Sequence, residues 1–229
     1  AESREIVSEL GAIPINYFLN KSGINIFADL KNTWLLSKKL KKIQLDVALS
    51  FFIKPSIYGT LAAKIAMVPR RIAMLEGLGY IYTPSKNNPT LKKNILKHAH
   101  GLLASIGYAF ANKVLFLNQD DPVDLAKNSF INSKKSKVIG PIGLELSSYP
   151  YTEVVITKPV RFIFVGRMLA EKGIFEYLAA ARIVKLKYPN TEFVILGGLD
   201  HDNPSALSKD QLTHLISEGL VNYVGNVSQ

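Results

Sequence analysis

Short apolar runs of strand length alternate with longer stretches of helical apolar period along the whole of this 229-residue chain. Such alternation specifies parallel sheets covered by helices, with right-handed crossovers between successive strands. The pattern predicts helices over residues 2–10, 27–43, 55–66, 91–111 and 122–127, and strands over 13–19, 46–53, 71–75, 113–118 and 137–139. Gly11 closes the first helix, and Leu30, Trp34, Leu35 and Leu40 mark the apolar face of the second. After a break at Gly140, Pro141 and Gly143, strands are expected at 161–165, 192–196 and 221–224, with helices at 174–187 and 208–218. The irregular stretch around Pro150 and Pro159 divides the chain into a domain over 1–146, a hinge over 147–159 and a domain over 160–229.

Composition narrows the chemistry. There is no cysteine, which excludes disulfides, thiolate metal sites and a cysteine nucleophile. No apolar run is long enough for a membrane span. The net charge of +10 is one-sided: residues 1–158 hold 21 Lys and Arg against 11 Asp and Glu, while residues 159–229 hold 7 of each. The basic part suits a polyphosphate ligand, an anionic membrane surface or a nucleic acid. His98, His100, His201 and His214 show no metal-ligand spacing, and no Walker loop or nucleophile elbow is present.

In open parallel sheets, ligands bind beyond the carboxyl ends of the strands. After the strand at 161–165 come Gly166, Arg167, Lys172 and Gly173, followed by a helix. Cations oppose the dipole of a helix N-terminus unless an anion is bound between them. Two glycines, a guanidinium fork and a mobile ammonium suit a diphosphate. An ordinary loop with Arg167 paired to Glu171 stays open on spacing alone. Gly197 and Gly198 follow the next strand. In the first domain, Lys54 and Tyr58 follow the strand at 46–53, and Lys54 is either a surface lysine capping the loop or a contact for a phosphate or sugar. Glu76 follows 71–75 and is a candidate for a sugar hydroxyl contact or acid/base work, or for an ion pair with Arg70 or Arg71. Gly77 and Gly79 point to positive φ or close backbone approach. The basic helix 91–111 either rests on a bilayer surface or is a core helix.

The sequences FIFVGR at 162–167, EKG at 171–173, AAAR at 179–182, YPN at 188–190 and FVILGGLD at 193–200 form a set, continued by NPS at 203–205 and YVG at 223–225. Together they resemble the family-4 retaining glycosyltransferases of GT-B fold. SGIN at 22–25, IKPSIYG at 53–59 and EGLGY at 76–80 resemble the bacterial subgroup that builds capsule, O-antigen and related lipid-linked oligosaccharides. The resemblance implies two Rossmann-like domains. Arg167 and Lys172, with Gly166 and Gly173, would hold the diphosphate of a UDP-sugar and stabilise departing UDP without a metal or cofactor. Gly197 and Gly198 would line the nucleotide pocket. Lys54, Tyr58, Gly77, Gly79 and Tyr80 would face a polyprenyl-diphosphate saccharide, with Glu76 as a candidate catalytic carboxylate. The implied location is peripheral, on the inner face of the bacterial cytoplasmic membrane. Against the family pattern, a first strand before Ala1 and a Glu-containing motif after Gln229 are missing. The chain is therefore expected to be a fragment without full transferase activity. The rival readings are a basic nucleic-acid-binding module and a dinucleotide-binding module. The first expects aromatics among the basic clusters and the second a Gly-x-Gly-x-x-Gly turn, and neither pattern is found.

Overall fold

A computed structural model describes residues 2–19, 25–79, 82, 91–153, 158–200, 203 and 205–227. Tyr80 and His201 lie outside the described residues. The chain forms two compact units, Ala1–Leu144 and Glu145–Gln229. Of the expected hinge, residues 154–157 lie outside the described set.

The first unit contains α1 (Glu2–Glu9), α2 (Ile26–Ile43), β1 (Val47–Phe51), α3 (Ile53–Ile65), β2 (Arg70–Leu75), α4 (Leu91–Ala109), β3 (Lys113–Phe116), α5 (Asp120–Ala126) and β4 (Ser136–Val138). Its four strands are parallel, in the order β1-β2-β3-β4. Asn25 starts α2 by accepting from the Ala28 amide at 3.0 Å. Asn118 does the same for α5, accepting from the Asp120 and Asp121 amides. Leu75, Val114 and Phe116 from the sheet meet Ile57 and Tyr58 of α3 and Ala104 and Tyr108 of α4 in the core.

Two expectations fail here, for related reasons. Residues 13–19 are not assigned as a strand. A strand needs a partner, and β1, the outer strand of the sheet, is separated from them by an apolar groove of about 450 Å³. Tyr17, Phe18 and Leu19 line one part of that groove and Val47, Leu49 and Phe51 another. In α2, the expected apolar face is largely outward: Leu30, Trp34 and Leu35 are exposed, and Lys38 lies 3.5 Å from the Trp34 ring centre. The buried stripe is instead Asp29, Thr33 and Ser37. Their spacing of four places them on one helix face, and α2 packs against α3. Small polar side chains there cost little, because Thr33 and Ser37 donate to carbonyls of their own helix.

His100 of α4 is buried beside Tyr82, with its Nδ1 2.9 Å from the Tyr82 hydroxyl. Burial lowers its pKa from 6.5 to about 4. The unfolded chain therefore takes up a proton as the pH falls through the usual histidine range, while the folded unit resists until about pH 4. Stability present above pH 6.5 is lost across this window, by about 3 kcal/mol in total. Urea unfolding followed through Trp34 should show this slope, and H100Q should flatten it. Equal slopes for the two proteins would exclude His100 as its source.

The second unit contains β5 (Arg161–Val165), α6 (Ile174–Lys187), β6 (Glu192–Leu196), α7 (Lys209–Ser217) and β7 (Asn222–Gly225). The sheet is parallel, in the order β5-β6-β7. A reciprocal cap between Ser208 and Gln211 starts α7. Phe164, Phe193 and Ile195 meet Ile174, Leu178, Leu212 and Leu215 in its core.

Candidate functional site

The segment from β5 to α6 is built from the core outward. Met168 and Leu169 are fully buried and anchor it. The Leu207 amide donates to the Met168 carbonyl and the Ala170 amide to the Ser205 carbonyl, both at 2.9 Å. These bonds tie the segment to the chain that precedes α7. A single 3₁₀ turn over Ala170–Lys172 then leads to Gly173, whose φ of 83° turns the backbone into α6. The positive φ expected at Gly77 and Gly79 is found, and Gly166 also has a positive φ.

Gly197 needs its missing side chain for a second reason. A Cβ there would lie 2.2 Å from the Gly166 carbonyl oxygen. The Gly166 amide donates to the Leu196 carbonyl and the Gly197 amide to the Gly225 carbonyl. The carboxyl ends of all three strands are thus laced together by backbone alone. At Gly198 a Cβ would meet the Asn226 side chain at 3.1 Å.

The two expected cations differ. Arg167 is 61% exposed and its Nη1 lies 2.7 Å from Oδ2 of Asp200. The alternative partner, Glu171, accepts instead from the Ser205 hydroxyl. Lys172 is exposed and has no carboxylate partner among the described residues. Among the described residues, Asp200 engages one of the five guanidinium donors of Arg167. An exposed pair of this kind contributes roughly 0–1 kcal/mol, so an anion can compete for it. The arrangement places an ammonium with no carboxylate partner among the described residues, and a tethered fork, beside the N-terminus of a 14-residue helix, an electrostatic setting that favours phosphate. Asp200 and Ser205 lie within motifs named from the sequence but were given no role there, and Asn226 was not singled out. The rule that ligands gather after strand ends applies to Asn226 after β7 and would have flagged it.

The first unit requires corrections. Lys54 does not stand free for an acceptor: its Nζ is 2.9 Å from Oδ2 of Asp29, whose side chain is only 1% exposed. Tyr58 is also turned inward, at 4% exposure, and its hydroxyl pKa is pushed up to about 12 by burial and then by the Asp29 charge. Both residues act inside the unit, because α2 brings a buried carboxylate against the start of α3. Glu76 is exposed at the end of β2. It is not paired with Arg71, which donates instead to the Phe110, Val68 and Pro69 carbonyls. Among the described residues no group of three His, Asp or Glu side chains gathers as a metal site.

No family model matches the chain. It is 30% identical to N,N'-diacetylbacillosaminyl-diphospho-undecaprenol alpha-1,3-N-acetylgalactosaminyltransferase of Campylobacter jejuni, over 98% of this chain and 59% of that protein. It is 24% identical to UDP-Gal:alpha-D-GlcNAc-diphosphoundecaprenol alpha-1,3-galactosyltransferase of Escherichia coli, over 76% of this chain and 46% of that one. The chain thus spans about half the length of these curated relatives. Among solved structures it resembles Anabaena HepE in complex with UDP and glucose, with a TM-score of 0.64 and 16% identity over 98% of this chain and 59% of that one. It also resembles Staphylococcus aureus MnaA with UDP, with a TM-score of 0.55 and 15% identity over 97% and 57% of the two chains. The fold is the α/β, parallel-sheet architecture of the GT-B class, as the sequence resemblance implied.

Proposed function

We propose that this chain, a relative of bacterial glycosyltransferases of undecaprenyl-diphosphate-linked sugars, is part of a retaining glycosyltransferase. It would move a hexosyl or N-acetylhexosaminyl group from a UDP-sugar to a polyprenyl-diphosphate saccharide. The observation that carries this reading is Lys172 at the N-terminus of α6, without a carboxylate partner among the described residues, with Arg167 tethered at the end of the neighbouring strand. The sugar–phosphate bond breaks with negative charge building on UDP. Lys172, Arg167 and the α6 amide end stabilise that charge as it develops. Gly197 and Gly198 border the nucleotide, and the Glu76-Gly77-Leu78-Gly79 turn presents acceptor contacts from the first unit. Retention follows from attack on the face that UDP leaves, with the departing phosphate taking the acceptor proton. The basic excess of residues 1–158 fits work on a lipid-linked acceptor at the inner face of the cytoplasmic membrane.

The test has two parts. Titration of this chain with UDP should give saturable binding that weakens with salt. In the intact protein, NMR of the product formed from a UDP-α-sugar should show an α linkage. An inverted β linkage would refute the retaining mechanism, and failure of both UDP and UDP-sugars to bind the intact protein would refute the transferase reading.

A further inference from the structure

Two carboxylates stand near the two cations of the candidate site. Asp200 follows β6 and already engages one donor of Arg167. Glu171 lies four residues from Arg167 and next to Lys172, so its place in the chain allows a pair with either. A second carboxylate on these cations would compete with the phosphates they are proposed to hold. The structure turns Glu171 elsewhere. Its Oε2 accepts from Ser205 Oγ at 2.5 Å, the length of a charge-assisted O–H···O⁻ bond.

Ser205 is itself fixed from both sides. Its amide donates to Asn203 Oδ1 at 3.0 Å, and its carbonyl accepts from the Ala170 amide at 2.9 Å. The next residue, Ala206, pairs with Leu169 in an antiparallel bridge, and Leu169 is fully buried. The hydroxyl has one proton and two acceptors in reach, Glu171 Oε2 and, at 2.8 Å, Asn203 Oδ1. The carboxylate is the nearer and the stronger acceptor, so it takes the proton. Backbone therefore sets where the serine stands, and the serine sets where the carboxylate of Glu171 stands. Arg167 and Lys172 meanwhile stay exposed. We infer that Ser205 is a positioning residue of the proposed UDP site: by fixing the Glu171 carboxylate it keeps that charge off Arg167 and Lys172 and leaves both to the donor phosphates. This deepens the proposed function, on which it rests, by naming a residue outside the phosphate contacts that sets how tightly the donor is held.

The test combines UDP titration of the chain with a reading that needs no nucleotide, the rate at which phenylglyoxal modifies Arg167, followed by mass spectrometry. S205A should weaken UDP binding about fivefold, the size of an exposed ion pair that the phosphates must then break. It should slow the modification of Arg167 by a similar factor, because the guanidinium then serves two carboxylates. S205A/E171Q should return both readings to the wild-type values, since a neutral amide does not compete for a cation. S205T, which keeps the hydroxyl, and E171Q alone should both match the wild type. An equal loss of UDP affinity for S205A with and without E171Q would overturn the inference, because the serine would then act through the fold rather than through Glu171. So would UDP binding unchanged by S205A, or a loss from E171Q as large as that from S205A. A wild-type chain that binds no UDP, while S205A still slows modification of Arg167 and E171Q restores it, would count against the transferase reading and for the sorting of charges by Ser205.

Discussion

Replacing Lys172 by Ala is expected to weaken UDP binding by about 10- to 100-fold, the range for a charge-assisted hydrogen bond. In the intact protein, R167A/K172A should lower transferase kcat by about a thousandfold or more, because in the proposed mechanism both groups act on charge that appears only as UDP leaves. R167A alone should have the smaller effect on UDP binding, since Arg167 must share its fork with Asp200. Thermal stability should hardly change. Lys172 makes no ion pair among the described residues, and the pair formed by Arg167 is exposed. Equal UDP affinity for K172A and wild type would show that the site is misplaced. A large drop in melting temperature would show that the loop is structural.

The second large effect concerns the first unit. K54M should destabilise it by about 3–5 kcal/mol, the cost of removing one partner of a buried ion pair. Asp29 would remain in the interior without its ammonium partner. Because a domain has only about 5–15 kcal/mol of stability, this would bring the unit close to unfolding. D29L/K54M should recover most of the loss, since replacing both charges by apolar groups removes the desolvation cost as well. The chain's one tryptophan, Trp34, lies on the same helix as Asp29, so urea unfolding followed by its fluorescence reads this pair directly. A cost below about 1 kcal/mol for K54M would show that the pair is not buried in effect and would reopen the sequence-based alternatives for Lys54, a loop-capping lysine or an acceptor contact.

Legibility differed with the range of the interactions involved. The bounds of β5, α6 and β6 agree between sequence and structure, because each is fixed by local periodicity and closed by Gly or Pro. Residues 13–19 have the composition of a strand but no partner beside them, and composition cannot supply one. The face of α2 was misread because hydrophobic periodicity assumes that the larger apolar side chains turn inward. Close helix approach instead favoured small residues at 29, 33 and 37. Glycines were easier to read: positive φ at Gly77 and Gly79 follows from their places after a strand end.

The amino-acid sequence by itself determined the parallel α/β architecture and most of the order of strands and helices, and it singled out the loop proposed to hold a phosphate. These follow from side-chain period and from turn chemistry within a few residues. Only the tertiary structure decided which charges are free and which are engaged. Arg167 meets Asp200 across 33 positions, and Lys54 meets Asp29 from a different helix. Lys172 is left without such a partner among the described residues. Coulomb attraction acts through space, so its partners are chosen by the fold.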